Sequence, residues 1–287
     1  MKYYEIAHMF SQWGATCAPN IEVTVNGKKE LYFGWHVASD SEEYLEFLPQ
    51  YLTALSKEFD KLGITDRVYF HISDEPSVKQ IEKYENAMKR VKPYIGSCKT
   101  FDAVSHFEFY ELGLIECPVT LISSLAPFLK ENIENQWTYY CCGPQGVYPN
   151  SFLAMPLYRV RVLGFQLYKY NIKGFLHWGL NYYNSERSRY PINPYVTTSA
   201  DGVFPSGDGY ILYPSKSGAY GSLRGEAMKE ALDDMRICQL LEKKIGREKV
   251  IEMIDSAAGG ELKFNSYPRN NEYLESLRAA MIEALEN

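Results

Sequence analysis

Two adjacent carboxylates, Asp74 and Glu75, follow an apolar run in the segment Tyr69-Phe-His-Ile-Ser-Asp-Glu-Pro76. Like charges held this close raise the pKa of one group, so that one carboxyl can carry a proton while the other is ionised. Cleavage of a glycosidic bond needs such a division, with an acid for the leaving oxygen and a second group that stabilises the positive sugar centre. The pair is therefore a candidate for acid/base catalysis on a glycoside.

Both side chains can face one cleft only if the chain turns between them, because neighbouring strand residues point to opposite faces. Pro76 gives a reason for a turn at this place. In the alternative interpretation, Asp74 caps a following helix and Glu75 is an ordinary surface residue. His71 weighs against that alternative, since a polar ring in an apolar strand needs a partner. His71 is thus either a satisfied core histidine or a group that orients the carboxylates.

Bulk properties exclude several classes of protein. The net charge is −6 and no cluster of Lys and Arg occurs, so a nucleic-acid partner is not expected. No apolar run approaches the roughly 20 residues that cross a bilayer, and the N-terminus lacks a signal-peptide pattern. We expect a soluble protein with no membrane partner, in a compartment that the sequence leaves open. The six cysteines lack metal-ligand spacing, and we expect no metal and no cofactor.

The elements that must position the carboxylates alternate between strands and amphipathic helices. Six strands are predicted, at residues 3–10, 68–73, 94–100, 119–123, 137–142 and 175–180. Residues 208–213 are a weaker seventh strand, in a Gly/Pro/Ser-rich region, 199–222, that is typical of a long loop. Helices are predicted at residues 41–62, 78–91, 156–169, 223–243, 248–257 and 272–286.

This alternation predicts an α/β protein with a parallel sheet, either doubly wound or a (β/α)8 TIM-like barrel. Glycine-rich phosphate motifs are absent, and polar or aromatic residues end nearly every strand, which favours the barrel because its strand ends converge on one face. About six barrel strands are visible, so the barrel is expected to lack its N-terminal part. We expect a catalytic barrel over residues 1–243, with a helical extension of the same domain over 244–287 packed on its flank.

Five ordered segments resemble the catalytic barrel domain of glycoside hydrolase family 123, also known as domain of unknown function 4091. They are IAHMFSQWG at 6–14, HISDEP at 71–76, GFLHWGLNYY at 174–183, GDGYILYP at 207–214 and SLRGEA at 222–227. The resemblance implies a retaining exo-β-N-acetylgalactosaminidase that acts on a glycan with a terminal β-linked N-acetylhexosamine. It also implies substrate assistance, in which the 2-acetamido oxygen attacks the anomeric carbon and forms an oxazolinium ion. Asp74 would then orient the acetamide and stabilise that ion, and Glu75 would be the general acid and later the base.

The residues give an independent indication of the same mechanism. A two-carboxylate barrel glycosidase needs a nucleophilic carboxylate at the end of a later strand. The late strand ends read WTYYCCGP at 137–144 and LHWGLNYY at 176–183, with no Asp or Glu. A nucleophile supplied by the substrate would remove the need for one.

Further substrate-binding candidates are chosen by their position at strand ends. Aromatic residues make up 15% of the chain, which fits either ordinary packing or the stacking of rings on sugars. One of Tyr139 and Tyr140 would polarise the acetamide carbonyl, and the strand phase leaves open which one. Asp208 lies in a Gly-Asp-Gly loop, where turn geometry alone explains it as well as a role in the site does. Arg224 and Glu226 begin a helix, and we expect them to form a mutual or structural salt bridge rather than to act in catalysis. The predicted substrate-binding residues are His8, Gln12, Trp13, His71, Tyr139, Tyr140, Asn150, Trp178, Asn181, Tyr182 and Tyr183.

Two alternatives remain at this point. One is a barrel glycosidase for a sugar without an acetamido group, and the other is a carbohydrate-binding remnant of the barrel without catalytic activity.

Overall fold

The computed structural model describes residues 3–287, and it separates into two compact units. The first unit ends at Trp137 and the second covers Thr138–Asn287. Each unit contains strands and helices, so the chain is an α/β protein, as predicted. In the described part of the chain, no helix has both the length and the apolar character that crossing a bilayer requires.

The first unit combines parallel strands, one antiparallel hairpin and helices. Its elements are β1 (Tyr4–Ile6), β2 (Ile21–Val25), β3 (Lys28–Phe33), α1 (Glu42–Leu62), β4 (Val68–Phe70), α2 (Ile81–Val91), β5 (Lys99–Val104), α3 (Glu108–Glu111), β6 (Cys117–Leu121) and α4 (Leu125–Lys130).

Four of these strands form a parallel sheet in the order β1-β4-β5-β6. The register pairs Ile6 with Phe70, and Phe70 with Thr100. The carboxyl ends of β1 and β4 therefore lie side by side, which brings the segments after Ile6 and Phe70 together. Apolar side chains on one face of this sheet, including Phe70 and Ile72, share a core with α1 and α2.

The two long helices of this unit confirm the predictions. Ser41 caps α1, and its hydroxyl accepts a hydrogen bond from Tyr44 N. Gly63 ends α1 with φ of +63°, in the left-handed region that glycine adopts at low cost. The helix predicted at 78–91 begins as a 3-10 turn, Val78–Gln80, and becomes α-helical at Ile81.

Two strand assignments in this unit needed correction. The strand predicted at 94–100 is shifted, because Lys92–Tyr94 is a 3-10 turn that contains Pro93, and β5 begins only at Lys99. The β2–β3 hairpin was missed altogether. Its turn is Asn26-Gly27, with both residues at positive φ, and that dipeptide is the strongest short-range hairpin signal.

The second unit holds most of the helical mass. From Trp137 onward the elements are β7 (Trp137–Tyr139), α5 (Tyr158–Arg161), α6 (Leu163–Lys169), β8 (Gly174–Leu176), β9 (Tyr213–Ser215), β10 (Gly218–Tyr220), α7 (Leu223–Ile245), α8 (Arg247–Ala257) and α9 (Asn271–Glu286).

The three C-terminal helices occur as predicted and share one apolar core with α5 and α6. Gly164 lets α6 approach α7 closely, since a Cβ at this position would lie 1.8 Å from Ala231 O. The helix predicted at 156–169 is divided into α5 and α6. The boundary predicted after residue 243 falls in the last turn of α7, and it remains a prediction, as does closure of a barrel.

The strand predicted at 208–213 is wrong. Asp208 lies in a turn, and Gly207 before it has φ of +85°, which ends any extended conformation. Part of the region expected to be loop is instead the antiparallel pair β9–β10, in which Tyr213 is opposite Tyr220.

Candidate active site

Asp74 and Glu75 lie just beyond β4, in a segment held from both sides. Trp13 N donates to Asp74 O at 2.7 Å, and Glu75 N donates to Ala103 O at 3.0 Å. These bonds continue the sheet beyond its regular strands, with the segment after β1 on one side and the end of β5 on the other. The backbone of the pair is therefore fixed at the carboxyl ends of the strands.

The turn expected next to Pro76 occurs at Glu75. Its φ is +42°, a left-handed conformation that costs a non-glycine residue of order 1–3 kcal/mol. Asp74 is half-buried, whereas Glu75 is exposed. Backbone strain of this kind persists only where surrounding contacts determine it, and it is concentrated at functional sites.

The helix-cap interpretation of Asp74 is wrong. Ser77 is the N-cap of the turn that begins at Val78, and it forms a capping box with Gln80. Ser77 N donates to Gln80 Oε1 at 2.8 Å. The Asp74 side chain is therefore not needed to start the helix.

Burial is the main cause that raises the pKa of Asp74 to about 7. The negative charges of Glu75 and Asp102 raise this pKa further, while the nearby His71 opposes them. Gln12 Nε2 donates to Asp74 Oδ2 at a long 3.4 Å and also favours the ionised form. Asp74 is thus poised to exchange its proton near neutral pH.

His71 lies buried between two carboxylates. Its Nδ1 is 2.8 Å from Asp102 Oδ1, and its Nε2 is 2.8 Å from Glu5 Oε1. Burial opposes the charged ring, but these two hydrogen bonds and the charges of Asp102 and Glu5 raise the pKa of His71 to about 9. At neutral pH the ring is an imidazolium, so His71 has partners, as its burial requires.

Asp102, on β5, was missed in the sequence analysis. It is fully buried and accepts hydrogen bonds from Ile72 N, Ser73 N and the Tyr84 hydroxyl as well as from His71. The available signal was a lone carboxylate among apolar residues in the strand Lys99–Val104, since a buried carboxylate must be paired. Asp102 fixes the two residues that precede Asp74.

His8 extends this group of rings. It lies against His71, with ring centroids 4.4 Å apart, and Phe101 covers the other side of His71 at 4.3 Å. Burial and the His71 charge lower the pKa of His8 to about 4, so its ring is neutral. His8 Nε2 is buried with no hydrogen-bond partner. His8 therefore lies against the ring that pairs with Asp102 and Glu5.

The donor atoms of His8, His71 and Asp102 lie within 4.8 Å of one another, a spacing that could hold a metal ion. However, both ring nitrogens of His71 already contact carboxylate oxygens at 2.8 Å. A metal would have to displace one of those hydrogen bonds. The arrangement therefore fits a paired imidazolium better than a metal centre.

In the second unit, the residues predicted at and beyond the end of β7 are buried. Tyr139 and Tyr140 are 3% and 0% exposed, and burial raises the pKa of Tyr140. The Tyr140 ring contacts Phe175 and His177. The Asn150 amide donates to Cys141 O and Pro144 O, so its donors support the loop around it.

Of the residues predicted after β8, Trp178 contacts a carboxylate and two aromatic rings. Its Nε1–H donates to Asp208 Oδ2 at 3.0 Å, and its ring contacts Tyr182 and Phe204. Burial raises the pKa of Asp208 to about 6, although the Trp178 bond and the Arg224 charge oppose the shift. Asp208 therefore orients an indole that is 38% exposed.

The remaining predicted residues of this unit mostly serve its own loops. The Tyr182 hydroxyl donates to Ser185 O, and the Tyr183 hydroxyl donates to Leu212 O. Asn181 is exposed and pairs through its backbone with Tyr210. The hydroxyl groups of Tyr182 and Tyr183 are thus engaged by the backbone.

Arg224 differs from its prediction. Instead of forming the expected ion pair with Glu226, its guanidinium is buried and donates to the carbonyls of Ser151, Gly207 and Tyr210. Arg224 therefore holds three loop segments together.

Comparison with known proteins identifies the family of the chain. The model of the glycoside hydrolase 123 catalytic domain matches residues 1–241. No curated protein matches the chain. A family 123 glycoside hydrolase from Clostridium perfringens, studied for glycolipid glycan hydrolysis, superimposes with a TM-score of 0.62 at 18% identity, covering 93% of this chain and 48% of that one. The chain thus spans about half the length of that protein. At 18% identity, the similarity between the two shows a shared fold and nothing more. From the family match, the chain belongs to glycoside hydrolase family 123.

Proposed function

We propose that this glycosidase is a retaining exo-β-N-acetylgalactosaminidase that uses the 2-acetamido group of its substrate as the nucleophile. As a family 123 member it acts on a carbohydrate. The observation that carries the finer proposal is the pair of carboxylates in a single turn, with Asp74 half-buried and Glu75 exposed. The glycolipid glycan hydrolysis ascribed to the Clostridium perfringens protein supports a glycan substrate here.

A carboxylate nucleophile would need a different arrangement. A retaining enzyme of that kind places its acid and its nucleophile about 5 Å apart on either side of the bond that is cleaved. Two other carboxylates of this part of the described structure are already engaged, since Asp102 is fully buried with its oxygens hydrogen bonded, and Glu5 is paired with His71. A substrate that supplies its own nucleophile needs only the two carboxylates that the turn holds, Asp74 and Glu75.

In the proposed first step, ionised Asp74 accepts a hydrogen bond from the acetamide N–H, which makes the acetamide oxygen more nucleophilic. That oxygen forms a bond to the anomeric carbon, while the bond to the leaving oxygen breaks and Glu75 donates its proton to it. In the second step, Glu75 takes a proton from water, and that water displaces the acetamide oxygen with net retention.

The proposed role of Asp74 requires its charge, and burial works against that charge. The positive charge of His71 favours ionised Asp74 from within the protein, and the positive oxazolinium would favour it from the substrate. The substrate would therefore strengthen an ionisation of Asp74 that the protein alone leaves nearly balanced at neutral pH.

The test is hydrolysis of an aryl β-N-acetylgalactosaminide by the wild-type protein and by Glu75→Gln. We expect turnover by the wild type and a loss of roughly 10²–10⁴-fold in Glu75→Gln, the usual contribution of a general acid. Exposed Glu108, on α3, provides the matched control Glu108→Gln, which should retain activity. A thiazoline analogue of the sugar should inhibit the wild type, because it resembles the oxazolinium ion.

Unchanged activity in Glu75→Gln would contradict the acid/base role. Faster cleavage of an aryl β-galactoside than of the acetamido sugar would contradict substrate assistance and favour a two-carboxylate mechanism instead.

A further inference from the structure

We propose that Trp13 and Trp35 form an aromatic platform beside Asp74 and Glu75 that binds the sugar residues on the leaving-group side of the cleaved bond. The inference rests on the proposed function, because it specifies which part of a glycan substrate the platform takes. It adds Trp35 to the site and assigns the substrate class as an oligosaccharide rather than a simple glycoside.

The two indoles touch each other and face solvent. Their ring centroids are 6.0 Å apart at an interplanar angle of 74°, and the side chains remain 50% and 45% exposed. A single exposed aromatic residue is ordinary, but an exposed pair beside catalytic carboxylates is a surface suited to a ligand. Aromatic faces pack well against the apolar faces of sugar rings.

Trp13 is held rigidly next to the carboxylates. Its φ is +57°, a strained conformation for tryptophan. Its backbone N donates to Asp74 O at 2.7 Å, and its carbonyl accepts a hydrogen bond from the Gln80 amide. Gly14 N and Ala15 N both donate to the Ser73 hydroxyl. The strain is maintained by contacts with the catalytic turn, so the position of Trp13 follows that of Asp74.

Trp35 is tied to the same loop. Phe33 anchors the end of β3 in the core, and the chain after Trp35 bonds back across the neighbouring loop. Ala18 N donates to Val37 O at 2.9 Å, and Ser39 N donates to Thr16 O at 3.1 Å. Trp35 therefore sits on a supported loop, and little conformational entropy remains to be lost when a ligand stacks there.

Exposure indicates which part of the substrate this platform takes. An exo-acting enzyme must surround the terminal sugar, whereas the sugars that follow extend into solvent. Two indoles that are each about half exposed form an open shelf, which fits the second of these requirements. The platform therefore fits the leaving-group side of the bond.

The test compares two substrates in the full chain. One is an oligosaccharide with a terminal β-linked N-acetylgalactosamine, and the other is N-acetyl-β-galactosaminyl fluoride, whose leaving group carries no sugar. We expect Trp35→Ala to lower the ratio of kcat/KM for the oligosaccharide to kcat/KM for the fluoride by roughly tenfold, the size of a strong aromatic contact. Trp35→Phe, which keeps an aromatic face, should recover part of the ratio. Tyr32→Ala is the control, since Tyr32 lies on the same hairpin, is 58% exposed and packs against Phe33 and Phe47.

The outcomes separate the two proposals. If the wild type cleaves neither substrate, the proposed function is contradicted, and so is the platform proposal that rests on it. If the wild type cleaves both but Trp35→Ala keeps the wild-type ratio, only the platform is overturned. An equal loss on both substrates, or the same loss of ratio in Tyr32→Ala, would also overturn it. Circular dichroism confirms that each variant is folded, and Trp35→Phe decides the question if Trp35→Ala is not.

Discussion

The end of β4 in the first unit and the loop after β8 in the second both gather polar and aromatic side chains, but they hold them in different ways. At the end of β4, ionisable groups contact one another, with His71 between Glu5 and Asp102 and with Asp74 close by. After β8, the buried Arg224 bonds backbone carbonyls and Asp208 orients the Trp178 indole.

This difference predicts different roles for the two regions, proton transfer for the first and the shape of a binding surface for the second. Ionisable groups that contact one another shift each other's pKa, which is what proton transfer near neutral pH requires. Polar groups that bind backbone atoms fix loops, and fixed loops present aromatic surface to a ligand. We therefore expect substitutions in the first region to change the chemical step, and those in the second to change mainly binding or stability.

The sharpest test exchanges one carboxylate in each region for its amide. Asp74→Asn should lower kcat/KM for the acetamido substrate by about 10²–10³-fold, because in the proposed mechanism it removes the charge that would orient the acetamide and stabilise the oxazolinium. Asp208→Asn should cost no more than about tenfold, since it weakens one hydrogen bond to Trp178. Steady-state kinetics on both variants gives the comparison.

Equal losses of kcat/KM in these two variants would contradict the assignment of different roles to the two regions. A loss confined to KM in Asp74→Asn would place that carboxylate in ground-state binding rather than in the transition state.

A second comparison uses two fully buried aspartates, Asp102 in the first unit and Asp234 in the second. Asp234 accepts hydrogen bonds from Arg161 and Arg278. Among the described residues, no hydrogen bond joins Asp234 to the residues around Trp178. Asp102→Asn and Asp234→Asn should each lower the free energy of unfolding by about 3 kcal/mol, because each leaves a buried cation without its full partner. Urea denaturation measures that loss.

The activity of the folded variants then separates them. Asp102→Asn should lose roughly tenfold or more in kcat, since Asp102 fixes the backbone of Ile72 and Ser73 ahead of Asp74. Asp234→Asn should keep the kcat of the wild type. A normal kcat in Asp102→Asn would reduce its role to stability alone.

Much of the first region was predictable, because local signals agreed with the fold. The apolar run before Asp74 predicted β4, Pro76 predicted the turn, and the helix predicted at 41–62 corresponds to α1. Asp102 was not predicted as a site residue, since it acts through contacts with residues about 30 positions away in the chain. One sequence contains no direct signal for such a pairing.

The second region was harder to predict because its residues act through tertiary contacts that override local pattern. Asp208 was assigned both to a weak strand and to a turn; the turn at Gly207 occurs, and it places the carboxylate against Trp178, a contact that the sequence did not indicate. Arg224 was expected to pair with Glu226, yet burial directs it to three carbonyls, and helix periodicity gives no sign of that. The Asn26-Gly27 turn was a local signal that should have been used.

A smaller effect is expected on the pH dependence of activity. With the pKa of Asp74 at about 7, kcat/KM should rise with pH through neutrality as that carboxyl loses its proton. The charge of His71 favours this loss, so His71→Gln should move the acid limb to higher pH. His177→Gln is the control from the second unit, since burial lowers the pKa of His177 to about 4 and leaves its ring neutral. An unmoved limb in His71→Gln would show that another group controls it.

The smallest effect concerns stability. Because the pKa of His71 is raised from about 6.5 to about 9, the folded state binds more protons than the unfolded state between these values. The contribution of His71 to the free energy of unfolding is therefore fully present below pH 6.5, and it falls as pH rises toward 9, by at most about 1.4 kcal/mol per pH unit.

The raised pKa of Asp74 adds a decrease in the free energy of unfolding that ends near pH 7, so the interval from pH 7 to 8 reports mainly on His71. Urea midpoints over this interval should fall in the wild type and in His177→Gln, and should stay level in His71→Gln. A wild-type slope that survives in His71→Gln would mean that the ring is neutral between Glu5 and Asp102, and that the first region holds its carboxylates without a buried cation.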